Sequence, residues 1–112
     1  LGGMVWLKMG NRNISTAIDL SGLGLDTVQE TDDEFVIGCM ATLRDLEVHP
    51  GLNAYTDGAV KQSVCHIVGV QFRNCATVGG SIYGRFGFYL RHWIAMWNYI
   101  RVEMFQFRNL SI

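Results

Sequence analysis

No run of about eighteen apolar residues free of charge occurs in this chain, which gives no transmembrane helix. An excess of one charge sign is also missing. Nine basic residues against ten acidic ones leave a net charge of −1. That balance offers nothing to steer the chain to nucleic acid or to an anionic membrane. Cysteine is scarce and badly spaced for chemistry: Cys39, Cys65 and Cys75 form neither a CxxC pair nor a zinc-finger pattern. A cluster would need four close ligands. With no signal-peptide pattern, the three read as reduced thiols in a cytoplasmic protein, packed like small apolar residues. A nucleophile–base triad, a paired-carboxylate site and a metal-ligand cluster are all lacking. Proline occurs once, at Pro50, and all thirteen glycines precede Phe88.

What the chain does have is a stretch around which the rest is arranged, Arg73-Asn74-Cys75-Ala76-Thr77-Val78-Gly79-Gly80-Ser81-Ile82. An apolar helical run, residues 59–70, leads into it, with Val60, Val64, Ile67 and Val68 at helical spacing. Adjacent glycines let the backbone turn sharply and expose its N–H groups. They also allow approach to a flat or anionic ligand, although a plain tight turn reads equally from the pair alone. A second glycine pair opens the chain in Leu1-Gly2-Gly3-Met4-Val5-Trp6. If residues 4–9 begin a helix or turn there, its N–H groups form an anion site; a turn with nothing bound is the alternative. Arg73 is placed either to steer toward a phosphate or to make a structural backbone contact.

Between these stretches the local signals are specific. Residues 16–20 are a short apolar run ended by Ser21-Gly22, a pattern that predicts a buried strand. Residues 27–31 and 34–38 flank Asp32-Asp33 and predict a hairpin, its acidic tip solvated. Thr42-Leu43-Arg44-Asp45 fits a capping box for a helix reaching about Val48, stopped by Pro50 and Gly51. His49 is then expected in the last turn of that helix, at the cation-favouring end of its dipole.

Taken together, the motifs resemble the FAD-binding domain of the molybdenum hydroxylases, the family of xanthine dehydrogenase and carbon monoxide dehydrogenase. Arg73-Asn74-x-Ala76-Thr77-Val78-Gly79-Gly80-Ser81-Ile82 is similar to the family's second flavin loop, and Leu1–Trp6 to its first. Residues 17–23 resemble the strand after the first loop, and residues 37–50 match in order and spacing. The resemblance implies an α+β fold, a fragment of a two-lobe domain. Residues 1–25 would end the first lobe and 26–88 begin the second, with a strand–helix–strand expected before Leu1. It implies FAD as cofactor, with Leu1, Gly2, Gly3, Met4, Val5 and Trp6 along its pyrophosphate and ribityl chain. Thr77, Gly79, Gly80 and Ser81 would approach from the other lobe. It also implies a molybdopterin-binding large subunit and a 2Fe–2S small subunit as partners, and NAD as electron acceptor.

The resemblance runs to about Phe88. The family expects Ser-Asp at positions 89 and 90, its acid on the adenosine of FAD, where this chain has Tyr89-Leu90. Residues 89–112 carry six of the thirteen aromatics and no glycine, as a reading-frame change near residue 89 would give. In that tail Leu90, Trp93, Ile94, Trp97 and Ile100 share one helical face. Such a stripe needs an apolar surface on this chain, on a second copy in a homo-oligomer, or at a membrane interface. Two functions therefore stand side by side. One is an FAD-binding component passing electrons from iron–sulfur clusters to NAD; the other is a truncated, non-catalytic remnant of that domain without flavin.

Overall fold

The computed structural model describes residues 1–84, so the expected tail helix and residues 89 and 90 lie outside it. The fold is α+β. A one-turn 3-10 helix, Leu7–Met9, comes first, then strands β1 (Val28–Glu30) and β2 (Phe35–Ile37). Helices α1 (Leu43–Val48), α2 (Pro50–Tyr55), α3 (Ala59–Val64), α4 (Val70–Arg73) and α5 (Val78–Tyr83) follow.

The hairpin forms where the polar pair lies between two β-prone runs. β1 and β2 are antiparallel, with Val28 opposite Ile37 and Glu30 opposite Phe35. The Thr31 N–H donates to the Glu34 carbonyl at 2.9 Å, closing a turn on Asp32-Asp33. Thr31 Oγ1 accepts from the Glu34 N–H at 3.1 Å and so tightens the same turn. One face of the ribbon carries Val28 and Phe35 onto the core, where Ile37 is fully buried. Phe35 continues that face into a ring contact with Tyr55 at 5.7 Å.

Helix α1 begins as its capping box predicts. Thr42 Oγ1 accepts from the Asp45 N–H at 3.1 Å, and Asp45 Oδ2 accepts from the Thr42 N–H at 2.8 Å. Both orphan donors are satisfied by chemistry four residues long, and Leu43 and Leu46 are delivered to the core. Thr42→Ala should therefore cost about 1 kcal/mol in a denaturant titration. A loss below a few tenths would mean that the hydroxyl is not what starts the helix.

The structure departs from expectation at two places past α1 and at one before it. Helix α1 does end at Val48, ahead of Pro50, and Pro50 then opens a second helix, α2, at its first position, where a missing N–H costs nothing. His49 serves as the N-cap of α2, its Nδ1 accepting from the Leu52 N–H at 3.1 Å, rather than as a cation on α1. The run 59–70 is not one helix. It is entered through left-handed Asp57 and Gly58 (φ 50° and 75°) and broken again at Val68 (φ 48°). Val60 and Val64 are buried as predicted, but Val68 lies beyond the break and is 72% exposed. Residues 16–20 likewise form no strand. A strand needs a neighbour for its ladder, and among the described residues the two strands pair only with each other. The Ile18 carbonyl instead accepts from the Leu1 ammonium at 2.6 Å, and the Ile18 side chain is 68% exposed.

The core is drawn from a limited part of the chain. Ile37, Ala41, Leu43, Leu46, Leu52, Val60, Val64, Ala76 and Val78 are its buried members, with α1 lying against α3 at its centre. Residues 1–25 contribute no buried residue, although Val5 packs against the cluster's edge.

Candidate functional site: a cleft between two glycine loops

The second glycine loop is built on the core. Residues 39–43 run antiparallel to 76–79, with an isolated bridge between Thr42 and Thr77. The Leu43 N–H donates to the Ala76 carbonyl, and the Val78 N–H to the Ala41 carbonyl, both at 2.9 Å. Gly79 follows, its N–H donating to the Cys39 carbonyl at 2.8 Å. A Cβ on Gly79 would stand 2.8 Å from Cys39 Cβ and from the Cys39 carbonyl oxygen. Glycine here lets α5 lie directly on the preceding segment.

Gly79 and Gly80 are not a free sharp turn; they form the first turn of α5. Thr77 caps that helix, Oγ1 accepting from the Gly80 N–H at 3.2 Å. Ser81 Oγ donates to the Thr77 carbonyl at 2.8 Å, which holds both hydroxyl residues nearly buried. Gly80 itself is exposed. A Cβ on Gly80 would meet Thr77 Oγ1 at 2.9 Å, so the capping hydroxyl is the first thing an alanine there would disturb.

The first loop comes to meet it. Met4 takes a left-handed conformation (φ 56°), which L residues adopt at a cost. That residue reverses the chain into the 3-10 turn, where the Lys8 N–H donates to the Met4 carbonyl at 3.0 Å. Trp6 packs edge-on against Phe72, ring centroids 5.6 Å apart, and Val5 touches the core. Gly3 lies on the Cys75 backbone: an added Cβ would fall on the carbonyl oxygen, 2.6 Å from its carbon. Gly2 lies on Thr77: its Cβ would stand 2.8 Å from Oγ1 and 3.9 Å from Gly80 Cα. The two glycine pairs are thus in contact, as the flavin-loop reading requires.

Where they meet is an open cleft of about 600 Å³. Gly2, Gly3, Met4, Val5 and Trp6 line one side, and Thr77, Gly80 and Ser81 the other. Leu1 and Gly79 do not line it. Leu1 is held by Ile18 and Gly79 faces Cys39. Arg12 and Tyr83 also line the cleft, and the sequence reading had singled out neither. Tyr83 had a usable signal, since it follows Gly80 by three positions and so shares its helix face. Arg12 had none, because only the folded first loop carries residue 12 to the mouth.

Arg73 takes the structural alternative. Its Nε donates to Glu47 Oε2 at 2.9 Å, and an η nitrogen donates to the Ile67 carbonyl at 3.1 Å. Arg44 reaches the same Glu47 oxygen at 2.9 Å from the half-exposed side. Burial pushes the Glu47 carboxyl up, but the hydrogen bonds and charges of Arg44 and Arg73 outweigh it and hold it below the ordinary value. This trio fastens α1 to α4. Among the described residues no group of His, Cys, Asp and Glu is arranged to hold a metal, and no helix is long and apolar enough to cross a membrane. Cys39 and Cys65 are half-buried and Cys75 is exposed, all three as free thiols.

A cleft floored by close-packed glycine backbone, with exposed aromatic faces from Trp6 and Tyr83, has the shape to admit a flat, extended ligand. The match to known families agrees: the model of the FAD binding domain in molybdopterin dehydrogenase covers residues 2–98, and the chain belongs to that family. The match extends ten residues past Phe88. No curated protein and no solved structure gives a match. The family's cofactor is FAD, and the residues present fit it. Gly2 and Gly80 line the cleft with exposed backbone, the aromatic side chains offer flat faces, and among the described residues no carboxylate lines it to repel a diphosphate.

Proposed function

We propose that this chain is the FAD-holding part of a xanthine dehydrogenase-like molybdenum hydroxylase in the cytoplasm. Its partners would be a molybdopterin-binding large subunit and a 2Fe–2S small subunit, with NAD as the electron acceptor. The observation that carries the reading is the junction of the two glycine loops around one cleft. When bound, the flavin supplies the redox chemistry, accepting electrons from iron–sulfur centres and giving hydride to a nicotinamide.

The chain's own residues bind and position. Residues 2–6 run beside the pyrophosphate and ribityl portion, and Thr77, Gly80 and Ser81 close on it from the opposite side. Trp6 and Val5 fix the wall they form, Trp6 by its ring contact with Phe72 and Val5 by packing against the core. None of these roles calls for an acid or a base. In this reading residues 1–25 end one lobe and 26–88 begin the other. The restriction of buried residues to 37–81 supports that division.

The test is the visible absorbance of the purified chain titrated with FAD. A stoichiometric, perturbed flavin spectrum is the expected result, and it would exclude the remnant without flavin. Free-flavin spectra at every ratio would show instead that the loops meet without forming a usable site. Leu90, where the family's acid is expected, works against affinity by up to about two decades if one charge-assisted contact is lost.

A further inference from the structure

The glycine loops provide backbone and shape, but the cleft also carries a charge that they do not supply. Among the described residues, Arg12 is the only side chain charged at neutral pH that lines it, and no carboxylate accompanies it. Arg12 is exposed, and among the described residues it makes no hydrogen bond or ion pair. Arg44 and Arg73 differ, since both are engaged by Glu47. A guanidinium is a planar fork of donors that matches two oxygens of a phosphate group at once. Next to a cleft of low polarity, and without a competing carboxylate, such a fork favours an anion over a neutral ligand.

Resting on the flavin reading above, we propose that Arg12 anchors the diphosphate of the dinucleotide, so that the cleft selects diphosphate-bearing ligands over riboflavin. Riboflavin presents the same ring and ribityl chain with no phosphate, and ADP presents the diphosphate with no flavin. Those two ligands separate the arginine's contribution from that of the ring. Exposure of Arg12 means that its replacement removes the fork without disturbing the core, which melting curves verify.

The experiment is calorimetric titration of the full chain, wild type against Arg12→Gln and Arg12→Lys, with FAD, ADP and riboflavin. Arg12→Gln should weaken both FAD and ADP about ten- to a hundredfold, the range of a charge-assisted hydrogen bond. Riboflavin affinity should stay unchanged, and lysine should restore only part of the loss, having charge without the fork. Added salt should weaken FAD binding to the wild type and leave Arg12→Gln nearly unaffected. Equal FAD and ADP affinities in wild type and Arg12→Gln would overturn the arginine assignment while leaving the flavin reading in place. Arg12-dependent ADP binding with no FAD binding would uphold the arginine and overturn the flavin. A wild type that takes up none of the three would overturn both.

Discussion

Glu47→Ala should destabilise the chain by about 3–5 kcal/mol, because it leaves the buried Arg73 guanidinium without its counter-charge. Against a total of about 5–15 kcal/mol for an ordinary domain, that is enough to leave the variant partly unfolded. The loss comes from the stranded cation more than from the pair's own net worth. Arg73→Lys should fall in between, since a lysine keeps the charge but cannot span both the Glu47 carboxylate and the Ile67 carbonyl. The pH dependence has a definite sign. The Glu47 carboxyl is held below its ordinary value in the folded chain. Its stabilisation is therefore present in full above an unfolded pKa of about 4.3 and lost as the pH falls through the lower folded value. Thermal melts should show a decline of stability in acid that Glu47→Gln lacks in part. Identical acid slopes would mean that the trio is not coupled to folding.

The other large effect belongs to Gly3. Its neighbours are the carbonyl carbon of Cys75 at 2.6 Å and the nitrogen of Ala76 at 3.3 Å from an added Cβ, both backbone and unable to swing aside. Gly3→Ala should push the first loop off the second. The strain is at least of the size of core overpacking, about 1–3 kcal/mol. FAD affinity should then fall by more than tenfold, since one wall of the cleft moves away. Gly10→Ala is the control. It also lines the cleft, but the nearest atom to its Cβ is the Leu7 carbonyl oxygen at 3.7 Å, ordinary contact distance. Equal flavin affinity in Gly3→Ala and wild type would mean that the loops need not touch for binding.

What could be read from sequence was what local chemistry specifies. The hairpin on Asp32-Asp33 and the Thr42–Asp45 box each close within four residues, and both stand as expected. The break at Val68 was not legible, because a β-branched residue does not announce a left-handed conformation and the apolar spacing runs through it. Residues 16–20 failed for a related reason. Strand-like composition cannot supply the neighbouring strand that makes it a strand. Arg73 offered two equal alternatives until its partner, 26 positions earlier on another helix, came into contact. The glycine loops were legible through their resemblance to a family, which the family match bears out. Arg12 entered the cleft only through the three-dimensional course of the chain, whereas Tyr83 could have been found from its place three positions after Gly80.

The account turns on two loops from opposite ends of the described chain forming one flavin site. Nitrogen-edited NMR of the full chain during an FAD titration tests this most directly. The amide signals of Gly2, Gly3 and Trp6 should move together with those of Thr77, Gly80 and Ser81, saturating at a single affinity, while Val28–Glu30 and Phe35–Ile37 stay in place. Shifts confined to one loop, or two loops saturating at different affinities, would contradict a shared site.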